Sequence, residues 1–112
     1  MGMYLVKFGY TTETWARLVA SPEDRREAVA AGIAAGGGKL HGLWYAFGED
    51  DGYTLFEAPN DTVAAALLLR VTATGAYRHL STTKLITVEE ALEAMREAGG
   101  VPYRAPGEAE SA

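Results

Sequence analysis

A β-hairpin near the middle of the chain constrains the fold more than any other stretch. Two runs rich in aromatic and aliphatic residues, 39–47 and 53–59, flank a five-residue acidic turn at 48–52 with glycine at each end. Such runs around a glycine-containing turn are typical of paired antiparallel strands. The rest of the chain is therefore expected to cover one face of the sheet that this hairpin begins.

The register of the hairpin decides which side chains share a face. We place Phe47 opposite Tyr53, which pairs Tyr45 with Leu55. Because successive side chains of a strand point to opposite faces, this register predicts the odd-numbered residues on one face. The even-numbered residues, including Trp44, are expected on the other.

Helix and strand patterns alternate through the remainder of the chain. The other predicted elements are a strand at 3–8, a helix from 13, a helix from 22 to about 35, a helix from 62 to about 74, a strand at 77–86 and a helix from 88 that ends at 99–100. Ser21 and Pro22 predict an N-cap and a first helical position. Thr87 and Glu90 predict a capping box for the last helix.

This order defines an α+β fold of the ferredoxin-like βαββαβ type with an extra C-terminal helix. Right-handed crossovers place both main helices on one face of a four-stranded antiparallel sheet. The opposite face is bare and apolar, so we expect a homodimer in which two sheets meet face to face. One domain is expected at residues 1–100, and a flexible C-terminal tail at 101–112.

Composition excludes several classes of partner and site. The net charge is −5, from 10 basic and 15 acidic residues, which argues against nucleic acid or an anionic membrane as a partner. The absence of cysteine rules out disulfides and thiolate metal sites. No signal peptide and no apolar run of about 20 residues is recognisable. We therefore expect a cytoplasmic protein.

Polar residues capable of proton transfer collect on the odd-numbered face. The predicted catalytic residues are His41, Tyr45 and Glu57, and the predicted ligand-binding residues are Lys7, Tyr53, His79 and Thr83. A histidine, a carboxylate and phenols together suit acid–base chemistry on a small organic molecule near neutral pH. Each residue alone also fits a structural role, as interface packing, an ion pair or a solvated strand residue.

No cofactor or metal is expected. Carboxylates at 49–51 are adjacent and lack the spaced ligands of a cation loop, so a solvated turn is the simpler interpretation. His41, His79 and Glu57 lack any short-range metal-binding spacing. The glycines at 36–38 follow a helix, whereas a phosphate-binding loop precedes one.

Several motifs resemble the GYD-domain family. They lie at 5–11, 37–45, 48–51, 57–61 and 82–85. The resemblance covers residues 3–98 and implies a dimeric α+β barrel built from two ferredoxin-like protomers. The family's Gly-x-Tyr-Asp motif is matched at Gly48 and Asp51, but Asp50 stands where the family has tyrosine. The superfamily that the resemblance implies contains cofactor-free monooxygenases, lactone isomerases, heme proteins and ligand-sensing domains.

Three functional hypotheses follow. The first is a homodimeric module that binds a small organic ligand. The second is a cofactor-free monooxygenase or isomerase that uses His41, Tyr45 and Glu57 in the barrel. The third is a structural or interaction dimer with a filled barrel. A pocket of several hundred Å³ lined by convergent polar groups would favour the first two.

Overall fold

The computed structural model describes residues 1–109 of the chain. This part of the chain contains four strands and four helices. They are β1 (Gly2–Tyr10), α1 (Thr12–Ala20), α2 (Arg26–Ala35), β2 (Lys39–Tyr45), β3 (Gly52–Ala58), α3 (Asp61–Thr72), β4 (Tyr77–Leu85) and α4 (Val88–Ala98).

The four strands form one antiparallel sheet in the order β2-β3-β1-β4. This order places the first and third strands at the centre and the second and fourth at the edges. The predicted ferredoxin-like α+β fold, with its extra C-terminal helix, is confirmed. The two central strands carry the residues that decide which face is covered.

The core lies between the sheet and the helices. Tyr4 and Val6 of β1 are each 4% exposed, and Phe56 of β3 stacks on the Tyr4 ring at 5.3 Å between centroids. Ile33 of α2 and Ala64 of α3 complete this cluster from the helix side. Even-numbered residues of β1 and β3 therefore face the helices, and odd-numbered residues face the open side of the sheet.

A β-bulge in the hairpin overturns the predicted register. Leu40 pairs with Phe56, but the next paired residue of β2 is Gly42, so His41 is an extra residue in the strand. One inserted residue reverses the alternation of every side chain that follows it. Trp44 consequently lies opposite Tyr53 on the open face. Tyr45 lies opposite Gly52 on the helix face, and not opposite Leu55 as predicted.

The start of α2 also differs from the prediction. Ser21 is not its N-cap; it ends α1, where its backbone N–H donates to the Arg17 carbonyl oxygen at 2.9 Å. The helix begins at Arg26, five residues after Ser21, and its N-cap residue, Arg25, forms no side-chain cap hydrogen bond. Asp24, just before the cap, accepts the Arg26 N–H at 3.0 Å. The negative charge of Asp24 is favourable there because it lies near the positive end of the helix dipole.

The other predicted helix starts are close to those observed. Asn60 caps α3 by accepting the Val63 N–H at 2.9 Å. The capping box of α4 is confirmed, with Thr87 and Glu90 bonded reciprocally at 3.0 and 3.1 Å. For α1 the cap is Thr11, one residue before the position expected from the sequence.

The C-terminal part of the chain extends away from the sheet. Residues 101–109 are exposed and form neither helix nor strand, and the predicted tail at 101–112 continues beyond the described residues. The division into a domain at 1–100 and a tail stays a prediction. Within residues 1–109, every helix is too short or too polar to cross a membrane.

Candidate functional site

A cleft of about 570 Å³ lies on the helix face of the sheet. It is bounded by the C-terminal half of β1, the start of β4 and the facing sides of α2 and α3. Its apolar lining includes Phe8, Tyr10, Val29, Leu67, Tyr77 and Leu80. This volume is large enough for a small organic molecule. The cleft therefore lies on the opposite side of the sheet from the face on which the sequence placed a site.

Aromatic rings form one end of the cleft. Tyr10 is only 3% exposed, and its ring lies 5.1 Å from that of Tyr77 and 5.0 Å from that of Trp15. The hydroxyls of Tyr10 and Tyr45 are 3.2 Å apart, within hydrogen-bonding distance. Burial, and then this hydrogen bond, raises the pKa of Tyr10 above its ordinary value. The phenol therefore stays neutral and offers a hydrogen bond rather than a charge.

Two arginines stand among the polar residues of the lining. Arg25 is partly buried, and its guanidinium lies 3.4 Å from the Glu23 carboxylate. Arg17 donates to the hydroxyl of Thr14 at 3.3 Å, and Thr14 in turn donates to the Ala76 carbonyl oxygen at 2.8 Å. Guanidinium groups remain charged at all physiological pH values and bind carboxylates well. The lining thus combines an apolar wall with an excess of positive charge.

Asp51 holds the residues at the aromatic end of the cleft in place through hydrogen bonds and an ion pair. Its carboxylate accepts the Tyr10 backbone N–H at 2.8 Å and the Trp15 indole N–H at 3.1 Å, and lies 3.5 Å from the Arg78 guanidinium. Burial alone would raise the pKa of Asp51, but these donors and the positive charge outweigh it and hold the pKa below its ordinary value. One carboxylate therefore joins the hairpin turn to β1, α1 and β4.

The acidic turn is consequently more than a solvated loop. Asp50 lies 2.7 Å from Nε2 of His79, and Arg78 donates to the backbone carbonyl oxygen of Glu49 at 2.9 Å. These contacts could not be predicted from the sequence, because the basic residues on β4 are distant from the turn along the chain. The match of Gly48 and Asp51 to the family motif was the one sequence signal at this turn.

The open face brings together some of the residues predicted to form a site. His41, displaced by the bulge, lies 3.4 Å from the Glu57 carboxylate. Lys7 pairs with Tyr53, and Thr83 pairs with Leu5 in the adjacent strand.

Two of the predicted residues are separated from His41. Tyr45 is on the helix face, so it is separated from His41 by the sheet itself. His79 is on β4, three strands away from β2, a distance of at least about 14 Å at the usual spacing of 4.8 Å. His41 and His79 therefore cannot act on one small molecule or share a metal ion. Among residues 1–109, no cluster of three acidic or histidine side chains is arranged to hold one.

Fold and site together define an α+β protein of ferredoxin-like topology, with an aromatic, arginine-bearing cleft between sheet and helices. The sequence model of the GYD domain matches residues 4–95. The chain therefore belongs to the GYD-domain family.

Two solved structures are similar to this chain. The crystal structure of FFRP-DM1 is 14% identical and superposes with a TM-score of 0.50, covering 77% of this chain and 100% of that one. An uncharacterized NIPSNAP domain protein from Burkholderia xenovorans is 12% identical, with a TM-score of 0.47, covering 79% of this chain and 95% of its own. No protein of curated function matches the sequence.

Proposed function

We propose that this protein is a homodimeric module that binds a small organic molecule in the cleft between its sheet and its helices. The observation that carries the proposal is the cleft itself, about 570 Å³ in volume and lined by aromatic and aliphatic side chains with a few polar groups. Sites for small molecules are usually concave and mostly apolar, with a small number of orienting polar groups.

The lining supports a particular kind of ligand. Phe8 and Tyr77 present an edge-to-face pair, with 5.8 Å between ring centroids, against which a flat apolar body can pack. Arg25 and Arg17 favour an anionic group on the same molecule, and the neutral phenol of Tyr10 can donate a hydrogen bond to it. An aromatic or aliphatic carboxylic acid satisfies both requirements.

The open face supports the homodimer. Leu5 pairs directly with Leu55 at the centre of the sheet, and Trp44 beside Tyr53 leaves 53% of its surface exposed. A contiguous apolar surface on a sheet is costly in water and is relieved when a second sheet covers it. In a two-fold symmetric dimer of this kind, the two identical clefts lie on the outer sides of the paired sheets.

The hypothesis of a cofactor-free monooxygenase or isomerase has less support. It needs His41, Tyr45 and Glu57 in one cavity, yet the bulge places Tyr45 on the opposite face from the other two. The proposal therefore assigns binding and no reaction to this protein.

A tryptophan scan of α2 tests the ligand site. Ala28 lines the cleft and Ala31 does not, and both are exposed on the same helix. Ala28→Trp should fill the cleft and abolish the rise in melting temperature that a panel of aromatic carboxylates produces. Ala31→Trp is the matched control and should retain it. Binding that survives Ala28→Trp, or a panel without any saturable binder, would reject the cleft as the site.

The dimer is tested separately. Leu55→Glu places a charge at the centre of the open face and should convert a dimer to a monomer in sedimentation experiments. The matched change on the helix side is Leu69→Glu, at a residue that is 70% exposed, and it should leave the dimer intact. A monomeric unmodified chain at micromolar concentration would refute the homodimer.

A further inference from the structure

Within residues 1–109, the apolar side of the last helix is left exposed. Val88, Leu92 and Met95 recur at helical spacing and are 72%, 44% and 65% exposed. The radius of gyration is 18.8 Å, whereas a compact chain of this length has one near 13 Å. Since α4 and residues 99–109 extend away from the sheet, the apolar side of α4 faces water in the single chain.

A helix of this kind needs something to pack against. It has 11 residues, and isolated helices shorter than about 12–15 residues are marginal in water. Its capping box favours the helical form but contributes too little to hold it alone. The amphipathic pattern therefore indicates a packed helix rather than a solvated one.

We propose that α4 reaches across to a second copy of this chain and packs on the β2 edge of that copy's open sheet face. This inference rests on the proposed homodimer and adds a contact that the face-to-face packing does not itself require. Each subunit then covers the edge of the other.

The position of β4 in the sheet supports this path. It is an edge strand, and α4 begins three residues after its last residue, Leu85. When two such sheets are stacked with their two-fold axis along the strands, the β4 edge of one subunit lies over the β2 edge of the other. A helix that leaves the end of β4 is then beside the β2 strand of the second copy.

The exposed surface of β2 fits the apolar side of α4. Trp44 is 53% exposed there and is the largest apolar side chain of that edge on the open face. A tryptophan at the rim of a sheet is well suited to pack against leucine and methionine of a helix.

Charge favours the same edge. The polar side of α4 carries four glutamates, Glu89, Glu90, Glu93 and Glu97, and one arginine, Arg96. On β4, Lys84 is paired with Asp61, and Arg78 and His79 are paired with Asp51 and Asp50. Lys39 on β2 has no ion pair among residues 1–109, so it can receive a glutamate from the second copy.

Crosslinking between differently tagged chains tests the contact. The protein has no cysteine, so Met95→Cys in one chain and Lys39→Cys in the other are the only thiols present. A crosslinked product that carries both tags therefore shows that these two positions are close together. A short bismaleimide should join the two tagged chains in the mixed dimer. The control pairs Met95→Cys with Arg70→Cys, on the exposed side of α3, and should give little product.

A charge scan of α4 tests the energetics in the full chain. Leu92→Glu on the apolar side should weaken the dimer about 10- to 100-fold, because it buries an unpaired charge at the contact. Ala94→Glu adds the same charge on the opposite side of the helix and should change the dissociation constant less than threefold. Circular dichroism of both variants checks that the fold is retained.

The outcomes separate this inference from the proposed function. A dimer that forms equally well with Leu92→Glu, and without the Met95–Lys39 crosslink, overturns the role of α4 and leaves the homodimer standing. An unmodified chain that is monomeric overturns both. Crosslinking that joins the two cysteines of one chain in a doubly substituted variant places α4 on its own sheet and also overturns the inference.

Discussion

Asp51 joins more elements than any other single side chain described in this structure. It accepts hydrogen bonds from β1 and α1 and pairs with Arg78 of β4. Only 19% of its side chain is exposed, so these contacts are partly shielded from water. The hairpin turn is thereby tied to the end of the sheet where the cleft opens.

Asp51→Asn should destabilise the protein by about 1–3 kcal/mol at pH 7, because it removes a charged acceptor of several hydrogen bonds. The folded-state pKa of Asp51 is held below its unfolded value. Its contribution is therefore fully present above about pH 4 and is lost as the pH falls through the folded-state pKa. Urea unfolding of both proteins between pH 7 and pH 2 should show the difference shrinking toward acid.

The matched control is Glu49→Gln, in the same turn but exposed. Its stability should stay within about 0.5 kcal/mol of the unmodified protein. An equal loss of stability in both variants would show that the charge of the turn, and not the contacts of Asp51, is responsible.

Two glycines should respond oppositely to alanine. A Cβ atom at Gly38 would overlap the backbone carbonyl oxygen of Glu57 and crowd Ile33. The ladder between β2 and β3 holds that carbonyl, so Gly38→Ala should cost about 1–3 kcal/mol. At Gly32, in α2, a Cβ meets no atom within 4 Å, and Gly32→Ala should add about 0.5–1 kcal/mol. Thermal unfolding distinguishes the two, and a stabilising Gly38→Ala would contradict this account.

At the scale of the element, the bulge at His41 determines how the hairpin is used. It sends Trp44 to the open face and Tyr45 to the aromatic end of the cleft. The pairing of β2 with β3 could be predicted from the alternation of apolar and polar residues. The bulge could not, because nothing in an unbroken run of strand-forming residues shows where one extra residue is inserted. Two register predictions, Tyr45 on the same face as His41 and Trp44 on the opposite face, were wrong for this one reason.

Substitution of these two neighbours should therefore give different results. Trp44→Ala should weaken the homodimer about tenfold or more, since it removes an aromatic side chain from the open face. Tyr45→Phe removes the hydroxyl beside Tyr10 and should leave the dimer unchanged, with a loss of monomer stability near 1 kcal/mol. Sedimentation equilibrium and thermal unfolding measure the two effects. A weaker dimer with Tyr45→Phe would show that the interface includes the helix face.

Helix boundaries could be predicted where a side-chain cap lies next to the helix. Thr87 with Glu90, and Asn60, cap the helices that the sequence indicated. The prediction for Ser21 was wrong because this residue ends α1, and α2 begins only at Arg26, without a side-chain cap. The cleft could not be predicted at all, because its volume depends on how far α2 and α3 stand from the sheet, which no local pattern encodes.

At the scale of the whole molecule, stability and assembly should be linked. If the open face is covered only in the dimer, association stabilises the folded chain by mass action. The melting temperature should then rise with protein concentration, by a few degrees over a hundredfold range. Calorimetry at several protein concentrations measures the melting temperature of the unmodified protein and of Leu55→Glu. The melting temperature of the variant should not depend on concentration.

The central strand β1 separates two surfaces that are only one residue apart along the chain. Its even-numbered side chains, such as Phe8, bound the cleft, while odd-numbered ones, such as Leu5, belong to the open face. If a ligand in the cleft binds the monomer and the proposed dimer unequally, it changes the affinity of the two copies for each other. Thermodynamic reciprocity then requires assembly to change the affinity for the ligand by the same factor. A protein so built would report the concentration of its ligand as a change in its own state of association.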